Sequence, residues 1–244
     1  SQLEQAIPIL DRHQVRGTFY ITPGCIQETS AAWRAALTRG HEMGNHSLRH
    51  SCSGNFIWGA RNVLETYTLE EMDEELAEAN RQLTESLGVR PTTFAYPCGQ
   101  SFVGRGTGRR SYVPLVAHRF IAGRGFRDEH MNRPNFCDLA MLAGTEMDGL
   151  TAAEMIATAQ RAAADGLWLV FAGHDVRESA RQCVLPRELE AFCAWCRDPA
   201  HGIWIDTVAE IATFVRSRRG HERDTDARVD ASTAGASGGP GTPP

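Results

Sequence analysis

Glu42-Met43-Gly44-Asn45-His46-Ser47-Leu48-Arg49-His50 reads as a short strand, around Glu42 to Gly44, that runs directly into two histidines. Imidazoles four positions apart on a short polar spacer can turn their nitrogens toward one point, whether the spacer is a helical turn or a tight loop. Neutral imidazole suits zinc and its first-row neighbours, and a catalytic site needs about three protein ligands with one position left for water. The spacer excludes the zinc-protease arrangement, because Ser47 follows the first histidine where that motif requires glutamate. A strand that delivers such a pair at its C-terminal end is the signature of an α/β fold, in which the chemistry gathers past the strand ends.

Outward from this stretch, strand and helix patterns alternate. Leu3 to His13 carries a helical stripe interrupted by Pro8, Arg16 to Thr22 is a strand closed by Pro23-Gly24, and Ser30 to Arg39 is a helix closed by Gly40. Thr68-Leu69-Glu70-Glu71 is a capping box that opens a charged helix to about Leu87, and its acidic run reads as a solvated face. Thr92 to Tyr96 is a strand broken at Pro97-Cys98-Gly99. The glycines at 104, 106 and 108 read as a loop, since no Gly-Lys-Ser/Thr follows.

A helix at 113–119, strands at 120–122 and 139–143, and a helix from Thr151 with Glu154 as a second capping box come next. Leu167 to Ala172 is a continuously apolar run, the pattern of a buried strand, with Gly173-His174-Asp175 at its end. A helix from Pro186 to Arg197, a strand at Ile203 to Ile205 and a helix from Thr207 to Arg218 complete the pattern. Six alternations call for a parallel sheet, open or closed into a barrel. In a barrel, His46, Cys98 and His174 share one rim.

Composition sets the outer limits. The 244 residues are 42% apolar and 23% charged with a net charge of −5, as in a globular protein with a sizeable core and no phosphate-backbone partner. No apolar run approaches the roughly 18 residues of a membrane span. All 25 basic residues are arginine, which removes lysine chemistry. Seven cysteines lack the spacing of a disulfide framework, and Cys193-Ala-Trp-Cys196 sits on a helix, where packing is the expected role. From Gly220 the chain has little to bury, so 219–244 is expected to be a disordered tail after one domain over 1–218.

His46-Ser-Leu-Arg-His50, Phe94-Ala-Tyr-Pro-Cys-Gly99 and Leu169-Val-Phe-Ala-Gly-His174 together resemble the motifs of the polysaccharide deacetylase family, the NodB-homology domain of carbohydrate esterase family four. The resemblance runs from about Leu3 to Val215 and implies a distorted (β/α) barrel with fewer than eight repeats. It implies a divalent metal, zinc in the first instance, on His46 and His50, with His174 as general acid. It also implies the Cys98 backbone N–H as oxyanion donor and Tyr96, Pro97 and Gly99 as the substrate-side turn.

The family's third ligand and its base come from an Asp-Asp motif that is absent here. By spacing that motif would lie just before Ser1, which makes an N-terminally truncated chain the expectation. Ala95 replaces an arginine that orients the base, leaving Arg90 as the substitute candidate, and Ala172 replaces a leucine of the acyl pocket. The implied activity is metal-dependent hydrolysis of carbon-nitrogen bonds, chiefly N-acetyl groups of an amino-sugar polymer. A small non-sugar amide or cyclic ureide, and a non-catalytic carbohydrate-binding barrel, are the alternatives. A polysaccharide substrate goes with a secreted or periplasmic location and a small amide with a cytoplasmic one.

Overall fold

A computed structural model describes residues 1–56, 62–179 and 181–219; the expected tail lies outside the described residues. After a π-helical turn at Gln2–Ala6, the chain forms α1 (Ile7–Arg12), β1 (Thr18–Ile21), α2 (Ser30–Thr38), β2 (Glu42–Asn45), α3 (Leu69–Leu87) and β3 (Thr93–Ala95). A small hairpin, β4 (Phe102–Val103) with β5 (Arg110–Ser111), precedes α4 (Val113–Arg119) and β6 (Ala122–Arg124). There follow β7 (Thr145–Glu146), α5 (Ala152–Ala164), β8 (Phe171–Ala172), β9 (Asp175–Val176), β10 (Cys183–Val184), α6 (Pro186–Cys196) and α7 (208–219). No helix of the described chain is long and apolar enough to cross a membrane.

The strands β1, β2, β3 and β6 pair in parallel in that order. A parallel bridge from Arg124 to Leu142 and the parallel pairing of β7 with β8 carry the order onward. Strand follows strand around one axis in chain order, which is a distorted (β/α) barrel, and every C-terminal strand end opens on the same side. Registers such as Ile21↔Asn45, Asn45↔Phe94 and Ala95↔Arg124 set those ends level with one another. Gly44 lies beside Tyr20 in this register, and a Cβ there would come within 2.4 Å of the Tyr20 ring, so only glycine lets that ring cross the strand.

Both capping boxes form: Thr68 and Glu71 exchange side-chain bonds at the start of α3, and Thr151 and Glu154 do so at α5. Each contributes about 1 kcal/mol to its helix. Gly88 ends α3 in the left-handed region. The apolar face of α3 packs Met72 and Leu76 against Phe94, Tyr96 and Tyr112, while Leu83 and Leu87 join a larger core with α1, α2 and α6. Cys193 and Cys196 lie buried in that larger core, and burial pushes both thiols up to about 12, as expected of packing residues.

Four sequence expectations are corrected. Leu139–Met141 is a 3-10 turn, because the Asp138 side chain caps it by accepting from Ala140 N–H, and it is Leu142 that bridges to the sheet. Residues 203–205 join no ladder among the described residues, and Trp204 is exposed with its ring edge-on to Phe214. The ladder of 167–172 is confined to Phe171 and Ala172, while Trp168 bridges antiparallel to Asn132. The acidic face of α3 is not wholly solvated: Glu75 is 2% exposed.

Candidate functional site

Asn45, the last residue of β2, is fully buried and fixes the turn that follows. Its side-chain amide donates to Leu76 O (3.2 Å) and Asn80 Oδ1 (2.7 Å), and its Oδ1 accepts from Ser47 N–H (2.7 Å). Ser47 (φ 62°) and His50 (φ 54°) both take the left-handed conformation, which costs on the order of 1 kcal/mol or more for each. The loop is held there by His50 N–H donating to Ser47 Oγ (2.9 Å) and by Glu75. That buried carboxylate accepts from Arg49 N–H (3.1 Å), the Arg49 guanidinium (3.1 Å), Ser51 Oγ (3.1 Å) and Tyr67 Oη (2.7 Å). Helix α3 therefore clamps the histidine loop from behind.

The clamp brings the His46 and His50 rings to 4.8 Å between centroids at 79°. His46 Nδ1 lies 2.9 Å from Ala95 O and so carries the donated hydrogen, which leaves Nε2 with a free lone pair. Burial, with Arg124 and His50 adding repulsion, pushes the His46 pKa down to about 3, and burial lowers that of His50 as well. Both imidazoles are neutral at physiological pH, the state a metal ligand requires.

Four further strand ends reach the same rim. Past β3, Cys98 sits in the 3-10 turn Pro97–Gly99 with φ 54°. Gly99 follows at φ 68°, where a Cβ would meet Phe126 O at 3.0 Å. Tyr96 and Pro97, expected on the substrate side, are buried, and Tyr96 lines the cavity that opens at this rim. The Tyr96 hydroxyl donates to Ala140 O (2.7 Å) and its ring packs on Phe94 and Tyr112, so these residues shape the turn from within the core.

Arg124 ends β6 beside Ala95, with its guanidinium 4.8 Å over the Tyr20 ring and donating to Gly125 O. Arg90 is exposed and precedes β3, at the opposite end of the sheet. Of these two arginines, Arg124 is the one at the rim. Past β7, Asp148 accepts from the backbone N–H of His174 (3.0 Å) and bonds its Nδ1 (2.5 Å). His174, past β8, lies edge-on to Phe126 at 5.1 Å. Asp175 turns away, accepting from the Ser1 hydroxyl (2.6 Å).

His46, His50, Cys98, Arg124 and His174 line a cavity of about 1060 Å³ that runs inward between β1 and β8. The metal-capable side chains that converge among the described residues are His50, Cys52 and Cys98, with ligand atoms within 4.8 Å of one another. Sequence reasoning passed over Asp148, Arg124, Glu75 and Cys52. Asp148, Arg124 and Glu75 stand in no recognisable local pattern and reach their partners across separations that only the barrel closes, whereas Cys52 lies two residues from the His50 it contacts.

Residues 1–104 match the polysaccharide deacetylase family model. The uncharacterized protein YlxY of Bacillus subtilis is 31% identical over 117 residues, 48% of this chain and 31% of that protein, so the chain spans about a third of the length of this relative. A crystal structure of a putative polysaccharide deacetylase from Mycobacterium smegmatis aligns with a TM-score of 0.58 at 17% identity, covering 89% of this chain and 77% of the other. A family 4 acetyl xylan esterase from Clostridium thermocellum, solved with a cobalt ion, aligns with a TM-score of 0.52 at 17% identity, covering 85% and 82%. At these identities the structural likeness establishes the fold.

Proposed function

We propose that this chain, which carries a polysaccharide deacetylase domain, is a metal-dependent hydrolase of carbon-nitrogen bonds that removes N-acetyl groups from an amino-sugar polymer or conjugate. The observation that carries the reading is the meeting of two neutral imidazoles with a histidine-aspartate pair at one cavity, from separate strand ends. His46 and His50 fit a divalent ion, zinc in the first instance, because both are neutral and Nε2 of His46 is unprotonated. When bound, such an ion acidifies a water and polarises the amide carbonyl.

The chain's own groups do the rest. Nδ1 of His174 is tied to Asp148, so the proton that His174 delivers to the departing amine is held at Nε2. Amines leave poorly unless protonated, and this delivery lets the tetrahedral intermediate collapse toward products. The Cys98 backbone N–H, at the tip of its turn, donates to the developing oxyanion. The Arg124 guanidinium stands where it can orient a carboxylate at the rim. Tyr96, Pro97 and Gly99 serve substrate by setting the shape of the turn that carries Cys98.

A second reading keeps the barrel and acts on a small non-sugar amide or cyclic ureide. Its supporting observation is the pair Cys98 and Ala172 on the cavity wall, where the family resemblance implies larger or different side chains. Acetate or ammonia release from N-acetylglucosamine oligomers and from a panel of small amides separates the two, with His46→Ala as control. Turnover of the oligomers that His46→Ala abolishes supports deacetylation. Saturable glycan binding without turnover of either class would sink the hydrolase reading.

A further inference from the structure

We propose that the hairpin of β4 and β5 is a substrate-binding arm that holds a carboxylate of the glycan, so that the polymer accepted at this site carries uronate units beside its N-acetylated sugars. The inference rests on the proposed deacetylation and deepens it by naming the charge of the substrate.

The sequence gathers charge of one sign here. Between Glu85 and Asp128 the chain has seven arginines and no acidic residue, although its net charge is −5. Within that stretch Arg119 and Arg127 pair with Asp73 and Glu146, and Arg124 lines the cavity. Arg105, Arg109 and Arg110 are exposed on the hairpin, and none of them has an ion-pair partner among the described residues. Glu65, the acid beside Arg105, is already engaged by Ser53 Oγ and by Gly54 N–H (3.0 Å).

The fold sets this arm next to the chemistry. The hairpin lies between β3 and α4, past the strand end that carries the Cys98 turn. Phe102 is four positions from Cys98, a span of at most about 14 Å. The base of the hairpin is fixed from two sides. Gly104 N–H donates to Leu64 O (2.9 Å), in the segment that returns from the histidine loop. Tyr112, fully buried, donates through its N–H to Ser101 O (3.0 Å) and through its hydroxyl to Gln100 O. At the tip, Gly104 has φ 71° and a Cβ there would meet Gly108 O at 2.7 Å, so only glycine lets the loop close this tightly.

Register gives the arm its recognition face. Phe102 lies opposite Ser111 and Val103 opposite Arg110. Val103 is buried while Phe102 is 41% exposed, as alternation along a strand requires. Arg109, two positions from Ser111, shares the face of Phe102, and its guanidinium stacks 4.1 Å over that ring. The Arg110 guanidinium donates to Thr107 O (2.8 Å) and Arg109 O (2.9 Å). Two of the three guanidiniums are therefore placed before a ligand arrives, which lowers the ordering cost of binding. A stacked guanidinium keeps its in-plane N–H edge free, and that edge takes a carboxylate through two parallel bonds. The exposed phenyl ring adds an apolar face for a sugar.

Isothermal titration calorimetry of the full chain, with zinc supplied, tests this. The probes are hyaluronan oligomers, which alternate glucuronate with N-acetylglucosamine, and neutral chitin oligomers of equal length. The parent is expected to bind hyaluronan about 10-fold more tightly, the combined worth of several exposed charge pairs, with the advantage fading at high salt. Arg105→Gln, Arg109→Gln and Arg110→Gln combined in one chain should bring the two oligomers level, and circular dichroism confirms that this variant folds. Phe102→Ala, which removes the platform under Arg109 and no charge, should lower the preference part of the way. Equal affinities of the parent for the two oligomers, or a preference that the triple variant keeps, would overturn the inference and leave deacetylation standing. A hyaluronan preference with no acetate released from either oligomer would instead overturn the deacetylase reading alone.

Discussion

The two ends of β2 hold their polar groups in opposite ways. At its start, Glu42 is enclosed and fully answered: its carboxylate accepts from Thr18 Oγ1 (2.8 Å), from Thr93 Oγ1 and from Ala209 N–H (3.0 Å). Those donors come from β1, β3 and the first turn of α7, so one side chain ties two strands to a helix N-terminus. At the other end, the His46 ring bonds Ala95 O through Nδ1 and lines the cavity. Left-handed backbone at Ser47, His50 and Cys98 gathers at this end. One end closes the fold's polar groups on themselves and the other leaves them for a ligand, which is the division of labour expected between the two faces of a (β/α) barrel.

If that division holds, damage at the rim should remove chemistry and spare stability. His174 is half exposed, and its Nδ1 bonds Asp148. His174→Ala is expected to lower amide turnover by roughly 100-fold to 10,000-fold, the usual worth of a positioned general acid. Asp148→Asn keeps an oxygen for the His174 backbone N–H and weakens only the hold on the ring, for a loss of about 10-fold to 100-fold. Both should melt close to the parent in differential scanning calorimetry. A His174→Ala protein that unfolds many degrees early would make the rim a structural region and erase the contrast.

Damage at the opposite end should do the reverse. Glu42→Ala strands Thr18 Oγ1, Thr93 Oγ1 and the Ala209 N–H and opens a small void. The expected loss is about 2–4 kcal/mol in urea unfolding. Turnover per folded molecule should be unchanged, because Glu42 lies a whole strand away from the rim. A selective fall in kcat with unaltered unfolding would show that the two ends are coupled.

This contrast was only half legible in the sequence. The rim histidines announced themselves because both imidazoles fall within one loop, and the helix starts at Thr68 and Thr151 did so because a capping box is written in four consecutive residues. Asp148 and His174 are 26 residues apart and sit on neighbouring strand ends, so nothing local joins them. Arg124 was missed for the same reason, since its place beside Ala95 is a matter of register. Glu75 looked like one more solvated acid in an acidic helix, yet the loop it anchors lies 24 to 26 residues upstream. The apolar runs at 139–143 and 203–205 read as strands because hydrophobicity reports burial, whereas a ladder also needs a free neighbouring edge.

The smallest effect gives the sharpest test of the closed end. Burial raises the pKa of Glu42, partly offset by its hydroxyl and N–H donors. The native chain therefore keeps this proton at pH values where the unfolded chain has lost it, and stability from Glu42 falls as pH rises from the ordinary glutamate range through the raised native value. Glu42→Gln cannot ionise, and its amide oxygen can still accept from the α7 N-terminus. Relative to the parent, the variant should gain on going from acid to neutral pH, by less than Glu42→Ala costs. Urea midpoints of the two proteins at pH 4 and pH 7 isolate this difference, because every other titrating group is common to both. An offset that is the same at both pH values would mean that Glu42 ionises as freely in the fold as outside it, and the closed end of β2 would then owe its stability to packing rather than to the bonds around this carboxyl.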